Sequence, residues 1–491
     1  MDLFTIFFVV FVGVGTTWFH FQKRRRSAKL PPGPYSIPII GNILQLGTKP
    51  HQSLAKLSKI YGPLMSLQLG RIYTVVVTSP EIAKEILQKH DQAFSSRTIA
   101  AAAQVQDHHK VSMVYLPIGD EWRKIRKICR EQMFSKHRLD ASQGLRLDKL
   151  QKLRDYVQNC CENGRVVNIA EAALITTLNL MSATLFSIQV TDFDSESTQQ
   201  FKKSMESLTN IVAAPNLGDF FPILKPLDLQ GIQKKSEFYF AKMLGFIDDI
   251  INERLESRGS SSVKKNDFLE TLLDLNQDQE YVFSINFIKH MLLDLFFAGS
   301  DTTASTAEWA VAELLLNSEK LRKAKDELKS VIGEKKQVEE SDMAKLPYFQ
   351  AVIKEVLRLH PAAPLLVPRK SDYDVQVSGY VIPKDAQIFV NVWAFSRDES
   401  VWSNPDSFEP ERFLERKLDF WGRDFEFIPF GSGRRICPGL ALADRMLPML
   451  VATLIHNFDW KFEAGVVPEL TDKFGLVLHK ALPLKAIPIK P

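Results

Sequence analysis

The hydrophobic and polar positions divide the chain into an apolar leader, a short segment of strand-like alternation and a long helical remainder. Leu64 to Leu69 and Tyr73 to Thr78 flank Gly70-Arg71, and the second run is rich in β-branched residues, so the pattern predicts two strands. Helical periodicity then dominates from Glu121 to Val331. The pattern therefore predicts a mainly α fold with small β-sheets, of the α+β class.

The leader predicts a membrane anchor. Residues 1–22 are almost wholly apolar and a basic cluster at 23–26 follows them. About 20 apolar residues span a bilayer as a helix, and basic residues after the span stay cytosolic. We expect an uncleaved anchor over 1–22, with a cleaved signal peptide as the alternative. Residues 23–38 end in the proline-rich Pro31–Pro38, which predicts a stiff hinge, and 39–491 form one globular domain.

Composition excludes several other classes of protein. Hydrophobic residues make up 45% of the chain and charged residues 24%, as in a globular protein with a large core. A formal net charge of +4 over 491 residues is too small to indicate a nucleic-acid partner. The four cysteines, Cys129, Cys160, Cys161 and Cys437, are too few and too badly spaced for a disulfide framework or a zinc site.

A long buried helix is predicted over His290 to Leu316, and it carries polar residues at its centre. Met291 to Ala298 is apolar except for Asp294, so the helix should be buried. Glycine and back-bonding threonines in Ala298–Thr303 favour a local bulge that would open space beside the helix. There Thr302 would act as a hydrogen-bonding alcohol and Asp301 would pass protons inward. A kinked core helix is the alternative.

One cysteine lies in a glycine-rich stretch near the C-terminus, Phe430–Gly439. The glycines leave the Cys437 sulfur sterically open and allow backbone N–H groups to point at it. Such a thiolate suits a proximal haem ligand, and Arg435 would neutralise a haem propionate. A glycine turn with a buried structural cysteine is the alternative.

Two motifs resemble those of the cytochrome P-450 superfamily. The cysteine loop matches at Phe430, Gly433, Arg435, Cys437 and Gly439, and Ala298–Thr303 matches the oxygen-activation motif. The resemblance implies the cytochrome P-450 fold, with haem b between the long central helix and the cysteine loop and Cys437 as axial ligand. It also implies O2 and NADPH electrons, delivered by NADPH–cytochrome P-450 reductase, and a single-pass protein of the endoplasmic reticulum membrane with a cytosolic haem-binding catalytic domain over 39–491.

The resemblance assigns roles to further residues. Positions that would hold the haem and its propionates, besides the cysteine loop, are Arg97, Trp122, Arg126 and Arg369. Glu355, Arg358 and Arg412 match the structural Glu-Arg-Arg triad of the superfamily. For Arg126 a solvated basic face is the alternative. Arg123, Lys127 and Arg130 lie on one helical stripe, which suits docking of an acidic electron donor but is equally typical of a solvated face.

The substrate pocket is expected to be apolar and to admit a small lipophilic molecule from the bilayer. Its proposed wall consists of Ala101, Phe296, Phe297, Ala298, Thr303, Ala363, Leu366, Val367, Leu476 and Val477. The loop 213–226, with several aromatic and aliphatic residues, would contact membrane lipid beside the entrance or be buried in the core.

Three stretches resemble plant microsomal enzymes that oxidise terpenoids, most of all mint-family diterpene oxidases. They lie at Tyr61–Ser66, Ala141–Arg146 and Leu178–Ser187. The resemblance implies hydroxylation of an abietane-type diterpene. A geraniol-type monoterpenoid hydroxylase is the first alternative. A peroxide-rearranging haem enzyme that needs no reductase and a non-enzymatic haem carrier or gas sensor are the others.

Overall fold

The structure is a computed structural model that describes residues 29–193, 196–259, 264–277, 283–333, 337–466 and 468–490. The anchor predicted for 1–22 and the basic part of the hinge lie outside the described residues. In chain order the α-helices are α1 (Pro50–Tyr61), α2 (Pro80–Lys84), α3 (His108–Val111), α4 (Asp120–Ile128), α5 (Lys136–Ala141), α6 (Gln143–Glu162), α7 (Ile169–Phe186), α8 (Glu196–Ala213), α9 (Leu217–Phe220), α10 (Ile232–Gly259), α11 (Phe268–Gln277), α12 (Ile285–Leu316), α13 (Ser318–Ile332), α14 (Glu340–Met343), α15 (Pro347–Leu359), α16 (Val392–Phe395), α17 (Arg412–Glu415) and α18 (Leu440–His456).

The strands form small sheets beside the helices, as the α+β prediction requires. They are β1 (Leu64–Leu69), β2 (Ile72–Val77), β3 (Ser96–Arg97), β4 (Val167–Asn168), β5 (Arg369–Lys370), β6 (Val375–Val377), β7 (Tyr380–Ile382), β8 (Gln387–Val390), β9 (Asp459–Lys461), β10 (Asp472–Lys473), β11 (His479–Lys480) and β12 (Lys485–Ile489). One sheet has the order β1-β2-β8-β5-β3, with β2 and β8 parallel, and a second has the order β4-β12-β9. The remaining strands pair as the hairpins β6-β7 and β10-β11.

Local sequence explains where the early elements begin. β1 and β2 occupy the two stretches predicted from their alternation, in the antiparallel register Leu64↔Val77 to Leu69↔Ile72. Helix α2 starts at Pro80 because the Ser79 hydroxyl accepts a hydrogen bond from the N–H of Ile82, while proline needs no N–H at the first helical position.

Helix α12 runs through the middle of the molecule and packs along α7 over much of its length. Its N-terminus is set by Ser284, whose hydroxyl accepts from the N–H of Phe287. The prediction of a bulge at Ala298–Thr303 is wrong, because the helix is continuous there. The hydroxyls of Thr302 and Thr303 donate to the carbonyls four residues earlier. A Cβ on Gly299 would lie 2.7 Å from the Met181 sulfur of α7. The glycine therefore permits close helix packing.

The largest core cluster joins α6, α7, α12, α13, α15 and α18. Among the described residues only α7 is both long and apolar enough to cross a membrane, and 78% of its apolar window is buried inside the protein. Its apolar surface is therefore satisfied by protein contacts, as in a core helix.

The triad Glu355, Arg358 and Arg412 meets in this core. Arg358 Nε and Nη2 donate to the two carboxylate oxygens of Glu355 at 2.7 and 2.8 Å, and Arg412 Nε donates to Oε1 at 3.1 Å. All three side chains are buried. Removing one member of a buried charged set leaves the others uncompensated, so the triad fixes α15 against the segment that carries Arg412.

Candidate functional site

The cysteine stretch folds into a tight loop that presents the Cys437 sulfur at the start of α18. The N–H of Cys437 donates to the Phe430 carbonyl at 3.0 Å and closes the loop. Gly433 has φ +71°, and a Cβ there would lie 2.1 Å from the Leu87 carbonyl oxygen, so only glycine fits. The predicted geometry of a sterically open sulfur in a glycine-rich loop is thereby produced by backbone contacts.

Opposing effects act on the pKa of the Cys437 thiol. Burial raises the pKa of the Cys437 thiol, but the backbone N–H groups of Gly439 and Leu440 and the guanidinium of Arg126 act in the opposite direction. A coordinated metal deprotonates a thiol outright. The loop thus supplies hydrogen-bond donors for an anionic sulfur.

A cavity of about 280 Å³ lies between this loop and α12. Its wall brings together residues that are far apart in the sequence. Of the predicted site residues it contains Arg97, Trp122, Arg126, Ala298, Thr302, Thr303, Ala363, Leu366, Val367, Arg369, Phe430, Arg435 and Cys437. The sulfur and the central helix therefore face one another across a shared space.

Four arginines line this cavity without a carboxylate partner in the described part of the chain. Arg97 donates to the carbonyls of Val114 and Val367, at 3.3 and 2.6 Å, and Arg369 to that of Phe94 at 3.3 Å. Arg435 and Arg126, the other two members of this arginine cradle, likewise bond only to backbone carbonyls.

No carboxylate in the described part of the chain pairs with the positive charges of the arginine cradle, and this affects the pKa of its members. Burial and the neighbouring Arg435 lower the pKa of Arg369 to about 10. Burial and the neighbouring cations also lower the pKa of Arg97 well below its ordinary value. Buried cations are normally paired, so the cavity fits a ligand that carries carboxylates to the arginines and a metal to the sulfur. Haem, with two propionates and one iron, has this combination of groups.

Trp122 contributes packing to this cradle and does not offer its N–H to the cavity. Its indole Nε1 donates to the Met113 carbonyl at 3.2 Å, and the Arg435 guanidinium stacks 4.8 Å above its ring. The cation–π contact orients Arg435 toward the cavity, and a role of Trp122 in holding a haem propionate stays a prediction.

The acid and the alcohol of α12 face different spaces. Thr302 lines the cavity shared with Cys437, and its hydroxyl donates to the Ala298 carbonyl at 2.7 Å. Asp301 lies in a separate groove, where its Oδ2 is 3.3 Å from Nε2 of His479. Burial tends to lower the pKa of His479, but the hydrogen bond and charge of Asp301 raise it above its ordinary value.

Five residues expected in the pocket wall lie elsewhere. Phe296 is fully buried, with the rings of Phe186 and Phe201 about 6 Å away, and Phe297 packs against the same cluster. Leu476 and Val477 line the groove beside Asp301. The N–H of Ala101 donates to the carboxylate of Asp219 in α9. Periodicity alone did not reveal which face of each segment is turned to the cavity.

The cavity wall also contains residues that sequence reasoning missed. Met113, Val114, Asp294, Leu295 and Thr306 all contribute to it. The signal for Asp294 was present, since it is the one charged residue in the apolar run Met291 to Ala298 and lies four residues before a predicted cavity residue. Met113 and Val114 carry no motif, and only the tertiary fold brings them to α12.

Comparison with known proteins shows the family to which the chain belongs. The family model described as Cytochrome P450 matches residues 31–486. The chain is 56% identical to the ferruginol synthase of Isodon rubescens over 482 residues, which is 97% of this chain and 98% of that protein. It is 51% identical to the sugiol synthase of Salvia miltiorrhiza over 495 residues and 52% identical to the carnosic acid synthase of Rosmarinus officinalis over 503, each covering 100% of both chains.

Proposed function

The chain belongs to the cytochrome P450 family and is a haem-thiolate monooxygenase, and from this premise we propose that it hydroxylates an abietane-type diterpene with Cys437 as the iron ligand. The observation that carries the site assignment is that Cys437 and the arginine cradle, which has no carboxylate partner among the described residues, line one cavity. The family resemblance drawn from the two sequence motifs is confirmed.

The chain's own residues divide the work of binding and proton handling. Bound haem supplies the O2 chemistry, and a thiolate ligand favours O–O bond cleavage. Arg97, Arg126, Arg369 and Arg435 would balance the propionates, and the backbone N–H groups after Cys437 would stabilise its anionic sulfur. Thr302 would hold a hydrogen bond at the cavity face of α12, while Asp301 and His479 would exchange protons with the groove behind it.

The substrate assignment is supported by the distal wall and by the named relatives. Ala298, Ala363, Leu366 and Val367 offer apolar surface beside Thr302, which suits a hydrocarbon skeleton held by shape. Three relatives that the chain matches over nearly their full length are named as synthases of ferruginol, sugiol and carnosic acid, which are abietane diterpenoids. An apolar diterpene of the abietane type is therefore the best-supported substrate.

The proposal places the enzyme on the endoplasmic reticulum membrane. The apolar residues 1–22 and the basic cluster at 23–26 support a single-pass anchor with a cytosolic domain. Tyr35, Leu44, Ile223 and Leu227 are each more than 60% exposed, and β1-β2 contacts α9 through the bond from Arg71 N–H to the Phe220 carbonyl. This apolar surface would contact membrane lipid beside the substrate entrance.

Electrons reach the haem from NADPH through cytochrome P-450 reductase. Arg123, Lys127 and Arg130 are exposed on one stripe of the region around α4, whose buried side carries Trp122. We place the reductase contact there because the stripe is basic and exposed, which suits an acidic partner.

Microsomes that co-express the chain with a plant reductase test the proposal. They would receive NADPH with an abietane diene or with geraniol in parallel reactions. Oxygenated diterpene as the main product is expected. Oxygenated geraniol alone would move the assignment to the monoterpenoid alternative, and product formed without NADPH or reductase would favour the peroxide-rearranging class.

A further inference from the structure

The face of α12 that lines the cavity continues into a buried cluster two turns beyond Thr302. Thr302 and Thr306 line the cavity. Trp309 and Glu313 follow on the same helix, where they are buried and lie outside the cavity wall. The spacings of four, three and four residues place all four side chains on one face of the helix. One helix face therefore forms part of the cavity and then packs against other segments of the protein.

The indole of Trp309 contacts both the end of α15 and the hairpin β10-β11. Its ring stacks on the imidazole of His360, with ring centroids 3.9 Å apart and an angle of 5° between the planes. Its Nε1 donates to the Leu478 carbonyl at 3.0 Å, and the ammonium of Lys480 lies 4.9 Å from the ring centroid. This fully buried side chain thus joins α12 to two distant parts of the chain.

His360, the first residue after α15, is held in one orientation. Its Nε2 lies 2.7 Å from Oε1 of Glu313, and both side chains are less than 10% exposed. Burial lowers the pKa of His360, and the charges of Arg397 and Lys480 act in the same direction, although Glu313 opposes them. The ring is therefore neutral at neutral pH and donates its Nε2 proton to the Glu313 carboxylate.

The cavity wall resumes two residues after His360. The lining residues of this stretch are Ala362, Ala363, Leu366 and Val367. The Ala362 carbonyl accepts from the N–H of Leu478, at 2.9 Å, and the carbonyl of the same Leu478 accepts from Trp309. Pro361 fixes the backbone between the histidine and the wall. A shift of the histidine or of the indole is therefore passed on to the wall.

We infer that Trp309 and His360 are positioning residues that fix the wall segment 362–367 relative to Thr302 and so determine which carbon of the substrate is oxidised. Both residues act through the wall, since neither lines the cavity. A hydrocarbon skeleton is held by shape, so a displaced wall allows the skeleton to turn. The inference rests on the proposed function for the identity of the substrate but not for the contacts themselves.

Four variants separate these contacts from a general effect on the core. His360→Ala removes both the stacked ring and the bond to Glu313, whereas Trp309→Phe keeps an aromatic ring and removes only the Nε1 donor. His360→Gln is the conservative variant, because its planar amide can still donate to Glu313. The matched control is Trp460→Phe, which removes a bond of equal length, 3.0 Å, from Nε1 to the Leu454 carbonyl outside the cavity wall.

The experiment combines product analysis with hydrogen exchange of the peptides that cover 361–370 in the full-length holoenzyme. Because displacement of a positioning group by 1 Å can cost up to about 10²-fold, we expect His360→Ala to change the ratio of oxygenated products by about tenfold. It should also speed exchange in this segment. His360→Gln and Trp460→Phe should match the wild type in both readouts. Trp309→Phe serves as a milder variant, with a change of about threefold, should His360→Ala fail to accumulate.

Three results would overturn the inference. Unchanged products and exchange in both His360→Ala and Trp309→Phe would show that the cluster does not position the wall. Failure of His360→Gln to restore the wild-type ratio would show that the bond to Glu313 is not what matters. A change in Trp460→Phe as large as in Trp309→Phe would point to a general loosening of the core. If the wild type oxidises no terpenoid, the proposed function fails, and the exchange arm still decides whether the cluster holds the wall.

Discussion

At the scale of single residues, the adjacent side chains Asp301 and Thr302 of α12 face two different cavities. Thr302 lines the cavity with Cys437, and Asp301 pairs with His479 in a groove that holds several charged side chains, among them Lys473 and Lys480. Adjacent positions on an α-helix are about 100° apart. The helix therefore separates the cavity, in which we propose that the substrate binds, from a polar groove lined by ionisable side chains.

Replacement of Thr302 tests this division. A positioned proton-transfer group contributes roughly 10²-fold or more, so Thr302→Ala should lower product per NADPH by at least about tenfold and divert electrons to peroxide, with haem content unchanged. Thr302→Ser keeps the hydroxyl and should retain most of the coupling. NADPH, peroxide and product are measured in parallel. Equal coupling in the two variants would remove Thr302 from proton handling.

At the scale of elements, the close packing of α7 on α12 holds the cavity wall in place. Gly299 permits this approach, since a Cβ would lie 2.7 and 2.8 Å from Sδ and Cε of Met181, which is 2% exposed. Thr177 adds a hydrogen bond from its hydroxyl to the Ser300 carbonyl at 3.0 Å. The glycine is thus explained by packing between two helices and not by a break in one.

A double-mutant cycle measures this contact. Overpacking costs about 1–3 kcal/mol, whereas glycine to alanine in a helix gains up to about 1 kcal/mol, so Gly299→Ala should lower the melting temperature. In the Met181→Ala background the same change should be neutral or stabilising, because the obstructing side chain is gone. Thermal unfolding of the four proteins at one scan rate gives the comparison. An equal loss in both backgrounds would contradict the packing account.

Sequence reasoning identified the elements that depend on local pattern and the residues that belong to motifs. Alternation placed β1 and β2, and the motif spacing placed Cys437 and Thr302 on one cavity. Sequence reasoning failed at Phe296. Because its neighbours in the sequence are apolar as well, the pattern does not show which side of the helix points to the cavity. It also missed Met113, since the wall there is formed by a segment without periodicity that tertiary contacts pull against α12. Such contacts between distant segments have no local signal.

At the scale of the whole molecule, an ion cluster joins the first described helix to a hairpin near the C-terminus. Asp472 of β10 accepts from Nε2 of the fully buried His51 at 2.9 Å and pairs with Lys49, both at the start of α1. Burial tends to raise the pKa of Asp472, but these two partners hold it below its ordinary value. The cluster therefore links segments more than 400 residues apart in the chain.

The pH dependence of stability tests this link. A carboxyl whose pKa is lowered on folding stabilises the protein above its unfolded pKa, about 3.9, and loses this contribution as the pH falls toward the folded value. We expect Asp472→Asn to lower the unfolding free energy by about 1.5–3 kcal/mol at neutral pH and the difference from wild type to shrink below about pH 4. A difference independent of pH would exclude the ionised carboxylate as its source.

The central claim is that Cys437 carries the haem iron as a thiolate within the arginine cradle. The carbon monoxide difference spectrum of the reduced protein tests it most directly, with Cys437→Ser against Cys161→Ser as the matched control at a partly exposed cysteine. The account predicts a thiolate-type band in the wild type and in Cys161→Ser and its loss in Cys437→Ser. A thiolate-type band that persists in Cys437→Ser would contradict it.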